Sequence, residues 1–132
     1  MRQILHYIFN LIRRGHWWAE FWSALVAIGW GSASFVMNAE VRPIASNGVI
    51  TSIMPGAAIE LFALFVGAAQ FITLVLDLRW PRAASAFFAG WFYGFIALGA
   101  CASVGFYPNI IPFAGFVGIN MFAVGRLCGN LR

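Results

Sequence analysis

The stretch AASAFFAGWFYGFIALGACASVGFYPNIIPFAGFVGINMFAVG, residues 83–125, holds no Asp, Glu, Lys, Arg or His over 43 residues. A bilayer core of roughly 30 Å is crossed by about 20 helical residues, so this run is about twice the length of one crossing. Backbone amides in lipid must be satisfied within the segment, and a run this apolar meets that demand as helix. The run therefore doubles back inside itself, at Tyr107-Pro108-Asn109. Just ahead of it lies the charged turn Asp77-Leu78-Arg79-Trp80-Pro81-Arg82, and ahead of that another apolar segment from Ala57 to Leu76. Ala57 to Phe106 thus reads as two membrane arms folded about a charged turn.

The whole chain has the same character. Of 132 residues, 62% are hydrophobic and 9% charged, too few polar side chains to cover a water-facing surface. The expected fold class is all-α: one polytopic membrane domain over residues 1–132, with four transmembrane helices at about 17–37, 57–76, 83–104 and 110–127. A short interfacial amphipathic helix over 1–14 precedes them. In it Ile4, Leu5, Ile8, Leu11 and Ile12 share one face of a 3.6-residue repeat, and Arg2, Gln3, His6, Asn10, Arg13 and Arg14 take the rest. Such a helix lies in the headgroup plane with Arg2, Arg13 and Arg14 on anionic lipid. His6 and Asn10 interrupt the apolar run, which separates it from a cleavable signal peptide.

Span one opens on Trp17, Trp18 and Trp22, whose amphipathic rings favour the headgroup boundary. Its second half carries Gly29, Gly31, Ser32, Ala33 and Ser34, small residues that admit a close helix neighbour. Residues 38–56 form the sizeable loop. Asn47-Gly48 is a turn signal between 41–45 and 49–53, which could pair as a small hairpin, although Pro43 limits regular pairing.

The basic residues number 8, all Arg, against 4 acidic ones. On a water-soluble chain such a balance would suggest nucleic acid; here the placement of the arginines reads as a topology signal. With four spans, Arg2, Arg13, Arg14, Arg79, Arg82, Arg126 and Arg132 share one side and Arg42 stands alone on the other. By the positive-inside rule both termini are cytoplasmic, in the cell inner membrane. So strong a bias argues against the small multidrug transporters and the fluoride channels, families with members that insert in both orientations. Glu20 is also only about one turn into span one, where the multidrug family needs a deep carboxylate.

An ionisable side chain at mid-membrane costs at least about 2.5–3.5 kcal/mol and is a functional candidate by default. None of the four acids is expected that deep. Glu20 lies near the cytoplasmic boundary, within reach of Arg13, Arg14 or the arginines of 79–82, and Asp77 lies beside Arg79. Glu60 sits at the outer end of span two, either as a helix-end charge or as a gate on an outer vestibule. The deep polar residues are Gln70, Thr73 and Asn120. Gln70 and Asn120 have comparable depths and can hydrogen-bond if spans two and four touch; otherwise they face other subunits and wet a pore. In span three Ala86, Gly90 and Gly94 form a close-packing stripe for a helix of this chain or of another. His6 and His16 have no ligand partners at metal-binding spacing, so no metal is expected. No catalytic triad, phosphate-binding glycine loop or nucleotide motif occurs, so no enzyme activity, catalytic residue or cofactor is expected either. Cys101 and Cys128 fall at opposite membrane faces, beyond disulfide reach, and read as free thiols.

The layout resembles small, phage-encoded, four-pass inner-membrane proteins, including holin-like ones. The likeness runs through the Arg-rich start and Trp17-Trp18-Ala19-Glu20-Phe21-Trp22, Glu60-Leu61-Phe62 to Gly67 and Gln70, the Arg79-Trp80-Pro81-Arg82 turn, Trp91-Phe92, and Asn120 with Gly125-Arg126-Leu127. It implies a protein that oligomerises in the cytoplasmic membrane and opens lesions there. The same residues suit an accessory subunit packed against a larger membrane complex, or a small channel or transporter subunit. The expected partners are the lipid bilayer and either copies of the chain or another membrane protein, with no nucleic acid.

Overall fold

A computed structural model describes residues 17–36, 53, 56–105, 108 and 110–129. The interfacial helix expected over 1–14, with Arg2, Arg13 and Arg14, lies outside these residues, as do nearly all of the 38–56 loop and most of the 107–109 turn. The described residues form four helices and no strand: α1 (Trp17–Val36), α2 (Gly56–Leu76), α3 (Arg79–Val104) and α4 (Ile110–Cys128). Three of them, α2, α3 and α4, are long and apolar enough to cross a membrane. α1 has 20 residues, but four tryptophans, Glu20 and the serines dilute its apolar character.

The helices pack as two antiparallel hairpins. In the first, Gly31 near the end of α1 meets the start of α2: a Cβ there would lie 3.0 Å from the Glu60 carbonyl oxygen. Lower in the same seam, a Cβ on Gly67 would lie 2.9 Å from the Ala24 carbonyl oxygen and 2.7 Å from Ile28 Cγ1. Backbone is thus against backbone, which only glycine permits. In the second hairpin α3 and α4 approach along the expected stripe. Gly90 faces Met121 and Asn120, Gly94 faces Val117, and Ala86 is fully buried. The partner of that stripe is therefore within the chain.

The two hairpins are joined by Asp77 and Leu78. Asp77 has φ +50°, and the Asp77 and Leu78 amides donate to the Leu74 and Thr73 carbonyls, the paired bonds of a Schellman end. Asp is among the few residues that enter this left-handed region readily. α3 then starts at once, at Arg79, four residues before the boundary expected from composition. Pro81 in its first turn removes an amide that has no intrahelical acceptor there, so the arginines extend the helix instead of interrupting it.

Between the hairpins lies a core of Ala27, Ile59, Ala63, Val66, Ala89, Phe92, Tyr93 and Ile96. Aromatic rings close it, Trp30 edge-on to Phe92 with centroids 5.8 Å apart and Tyr93 stacked on Phe116 at 4.9 Å. Such pairs add about 0.5–1.5 kcal/mol beyond area burial. The outside is the reverse of a water-soluble protein: Phe65, Ile72, Phe88, Leu98, Ile111 and Phe122 are all exposed. An apolar exterior of this extent fits lipid contact.

Candidate functional site

Polar side chains that the helices carry inward converge on one another. Ser23 on α1, Gln70 on α2 and Asn120 on α4 are fully buried. They form a closed ring of hydrogen bonds in which each donates to the next. Ser23 Oγ donates to Gln70 Oε1 at 3.2 Å, Gln70 Nε2 to Asn120 Oδ1 at 2.7 Å, and Asn120 Nδ2 back to Ser23 Oγ at 2.8 Å. Asn120 Nδ2 also donates to the Phe116 carbonyl at 2.8 Å, and the Tyr93 hydroxyl on α3 donates to the Ser23 carbonyl. All four helices thus meet at one polar point. The second carbonyl partners absorb capacity that three side chains alone would leave unused.

Thr73, one turn beyond Gln70, returns its hydroxyl to the Ala69 and Gln70 carbonyls and meets Ser85 Oγ at 2.8 Å. Thr73 therefore ties α2 to α3 just inside the turn that joins them.

The next layer is ionic. Arg82 reaches Glu20 through two nitrogens, Nε to Oε2 and Nη2 to Oε1, each 2.7 Å, and its Nη1 donates to Asp77 Oδ1 at 2.9 Å. This is the bidentate fork geometry of arginine and carboxylate. The charged turn reads as placing Arg79 and Arg82 at the membrane surface, with the arginines of 79–82 among those in reach of Glu20; the structure corrects the first for Arg82, which is only 3% exposed. Its position in the first turn of α3 points it across the bundle to Glu20, which is 2% exposed on α1. Arg79 stays exposed, and its Nε donates to the Leu127 carbonyl at 2.7 Å, closing the end of α4 against the start of α3. Arginines near a helix C-terminus suit the partial negative charge there.

The sequence-derived residues thus separate into groups. Gln70 and Asn120 meet inside the bundle, the first of the two alternatives, while Ser23, which completes their ring, and Tyr93, which bonds the Ser23 carbonyl, carried no distinguishing spacing. The single available signal was a hydroxyl residue placed within an apolar helix. Glu60 is buried near the start of α2, at the opposite end of the bundle from the ion cluster. Among the described residues, a cavity lies at the ion-cluster end. It has a volume of about 440 Å³ between α1 and α4, and Ala19, Glu20, Arg79, Gly118, Phe122 and Arg126 are among its walls. No group of three or more His, Cys, Asp or Glu residues that could hold a metal occurs among the described residues. Cys101 and Cys128 are exposed and unpaired with each other.

Chemically the ring and the cluster hold geometry. Every member of the ring and of the ion cluster is engaged with another member. No known family model, curated protein or solved structure matches this chain.

Proposed function

We propose that the chain is a non-enzymatic, four-span protein of the cytoplasmic membrane whose work is packing. It assembles with copies of itself or with a larger membrane complex, its two ends on the cytoplasmic side, without cofactor or nucleic acid. The single observation that carries this reading is the direction of its polar side chains. Gln70, Asn120 and Ser23 satisfy one another inside the bundle, and so none is left to line a conduction path between subunits. A channel subunit would need the opposite arrangement. α1 serves as the fourth span because its acid is neutralised by Arg82, which lowers the cost of seating Glu20 near the boundary.

A second reading, holin-like permeabilisation, is favoured by the outward face of α4. Ala114, Gly115 and Gly125 are exposed there, and a Cβ on either glycine meets nothing within 4 Å. A small-residue face suits helix association, which lesion formation requires. The two readings separate on expression of the chain alone in bacterial cells, with membrane potential followed by a potential-sensitive dye. A packing subunit leaves potential and growth unchanged and co-purifies with its partner after mild detergent extraction. Abrupt collapse of the potential would replace the packing reading with permeabilisation.

A further inference from the structure

We infer that the cavity between α1 and α4 is a site for a phospholipid with an anionic headgroup. Its size, about 440 Å³, falls in the roughly 300–1,000 Å³ range of ligand pockets. It exists because α1 and α4 belong to different hairpins and touch sparingly, while each packs closely on its own partner. The cavity wall has two kinds of chemistry. Ala19, Gly118, Ile119, Phe122, Ala123 and Leu127 give it an apolar wall. Gly118 leaves the groove open, since a Cβ built there meets nothing within 4 Å. Arg79 and Arg126 add two guanidiniums, both on exposed residues, at the end of the bundle where α3 begins and α4 finishes.

The carboxylate on the same wall, Glu20, is engaged by Arg82 through two bonds of 2.7 Å, which sets its charge against an internal cation. Arg82 divides its one positive charge between Glu20 and Asp77, so that cluster is net negative by one, and Arg79 with Arg126 leaves these five charged groups net positive by one. An apolar groove running from two arginines fits one acyl chain under an anionic headgroup, and basic pockets between membrane helices are places where such headgroups bind. A free phosphate would use the arginines and leave the groove unfilled.

The inference rests on the membrane-spanning reading, so membrane residence is measured separately by resistance of the full chain to alkaline carbonate extraction. The site itself is tested on the purified full chain in dodecyl maltoside micelles, by thermal unfolding against added dioleoyl phosphatidylglycerol or dioleoyl phosphatidylcholine. The expected result is a saturable rise in the unfolding temperature with phosphatidylglycerol that phosphatidylcholine does not reproduce. Arg126→Gln should lower the apparent affinity for phosphatidylglycerol roughly fivefold, the equivalent of the ~1 kcal/mol that one basic residue contributes at an anionic surface. Gly118→Leu adds a side chain to the cavity wall at a position whose Cβ meets nothing within 4 Å and should abolish the saturable response, while Gly125→Leu, equally open at Cβ but not on the cavity wall, should retain it. Equal responses to the two lipids, or an unaltered response in Gly118→Leu, would overturn the site. So would the same stabilisation by inorganic phosphate, which would show that the arginines take an anion without the acyl groove. A chain that resists carbonate yet fails these tests loses the lipid site and keeps its spans.

Discussion

Removal of Arg82 should hurt this protein more than removal of the acid it grips. Arg82 serves two carboxylates, Glu20 with two bonds of 2.7 Å and Asp77 with one of 2.9 Å. Arg82→Met strands Glu20, which is 2% exposed and set inside the bundle. Breaking a buried pair by deleting one partner costs about 3–5 kcal/mol, because the remaining charge is left uncompensated. Glu20→Gln is milder. The amide oxygen still accepts one bond, and Arg82 keeps Asp77, whose side chain is 27% exposed and still partly hydrated. Loss of one hydrogen bond between charged groups should then cost about 1.5–3 kcal/mol. In the double variant Glu20→Met/Arg82→Met neither charge remains, and its cost should fall short of the sum of the separate Glu20→Met and Arg82→Met changes by 1 kcal/mol or more on the order expected for contacting residues. The assay is reversible unfolding in dodecyl maltoside with increasing sodium dodecyl sulfate, followed by far-UV circular dichroism. Arg82→Met within about 0.5 kcal/mol of the parent, well below the buried-pair range, would refute the argument. A Glu20→Gln loss equal to or larger than the Arg82→Met loss would refute it too.

The glycine seams should respond unequally to the same change. Gly67→Ala presses a methyl on the Ala24 carbonyl and should destabilise by about 1–3 kcal/mol in the same unfolding assay. Gly90→Ala meets chiefly the movable end of Met121 and should cost less than half as much. Asn120→Leu and Gln70→Leu should each lose about 1–2 kcal/mol, and the pair together less than their sum, since both break one ring. Additive losses would mean that the two side chains do not share a bond. In spheroplasts, Cys101 and Cys128 should differ in labelling by a membrane-impermeant maleimide, because an α4 that crosses the membrane puts α3's end and α4's end on opposite faces. Equal labelling of Cys101 and Cys128 from outside would contradict that crossing.

The helical architecture was legible in the sequence because the demand for internal backbone hydrogen bonding leaves a chain this apolar few alternatives. Depth alone left the Gln70–Asn120 contact as one of two outcomes, a bond within the chain or a face turned to other subunits, and the two amides meet across the core of the bundle. Three features were harder to read. Arg79 and Arg82 looked like an interruption between helices, since composition registers charge without registering that Asp77 ends one helix and Pro81 permits the next to begin. The destination of Arg82 depends on rotation about α3, which places it against Glu20 and away from lipid. The seam between α1 and α2 joins Gly31, already legible as a small residue open to a neighbour, with Gly67, whose part in it depends on how the two helices pair and shows in no single-helix spacing.

The ion cluster also imposes an order in time. Arg82 follows Glu20 by 62 residues, and at synthesis rates of about 5–20 residues per second that interval is roughly 3–12 s. During it the first helix carries its acid without the guanidinium that later encloses it. Asn120 follows Ser23 by 97 residues, so the hydrogen-bonded ring closes later still. Of the four described helices α1 is made first, and the contacts of its inward polar side chains are complete only when α3 and α4 have followed.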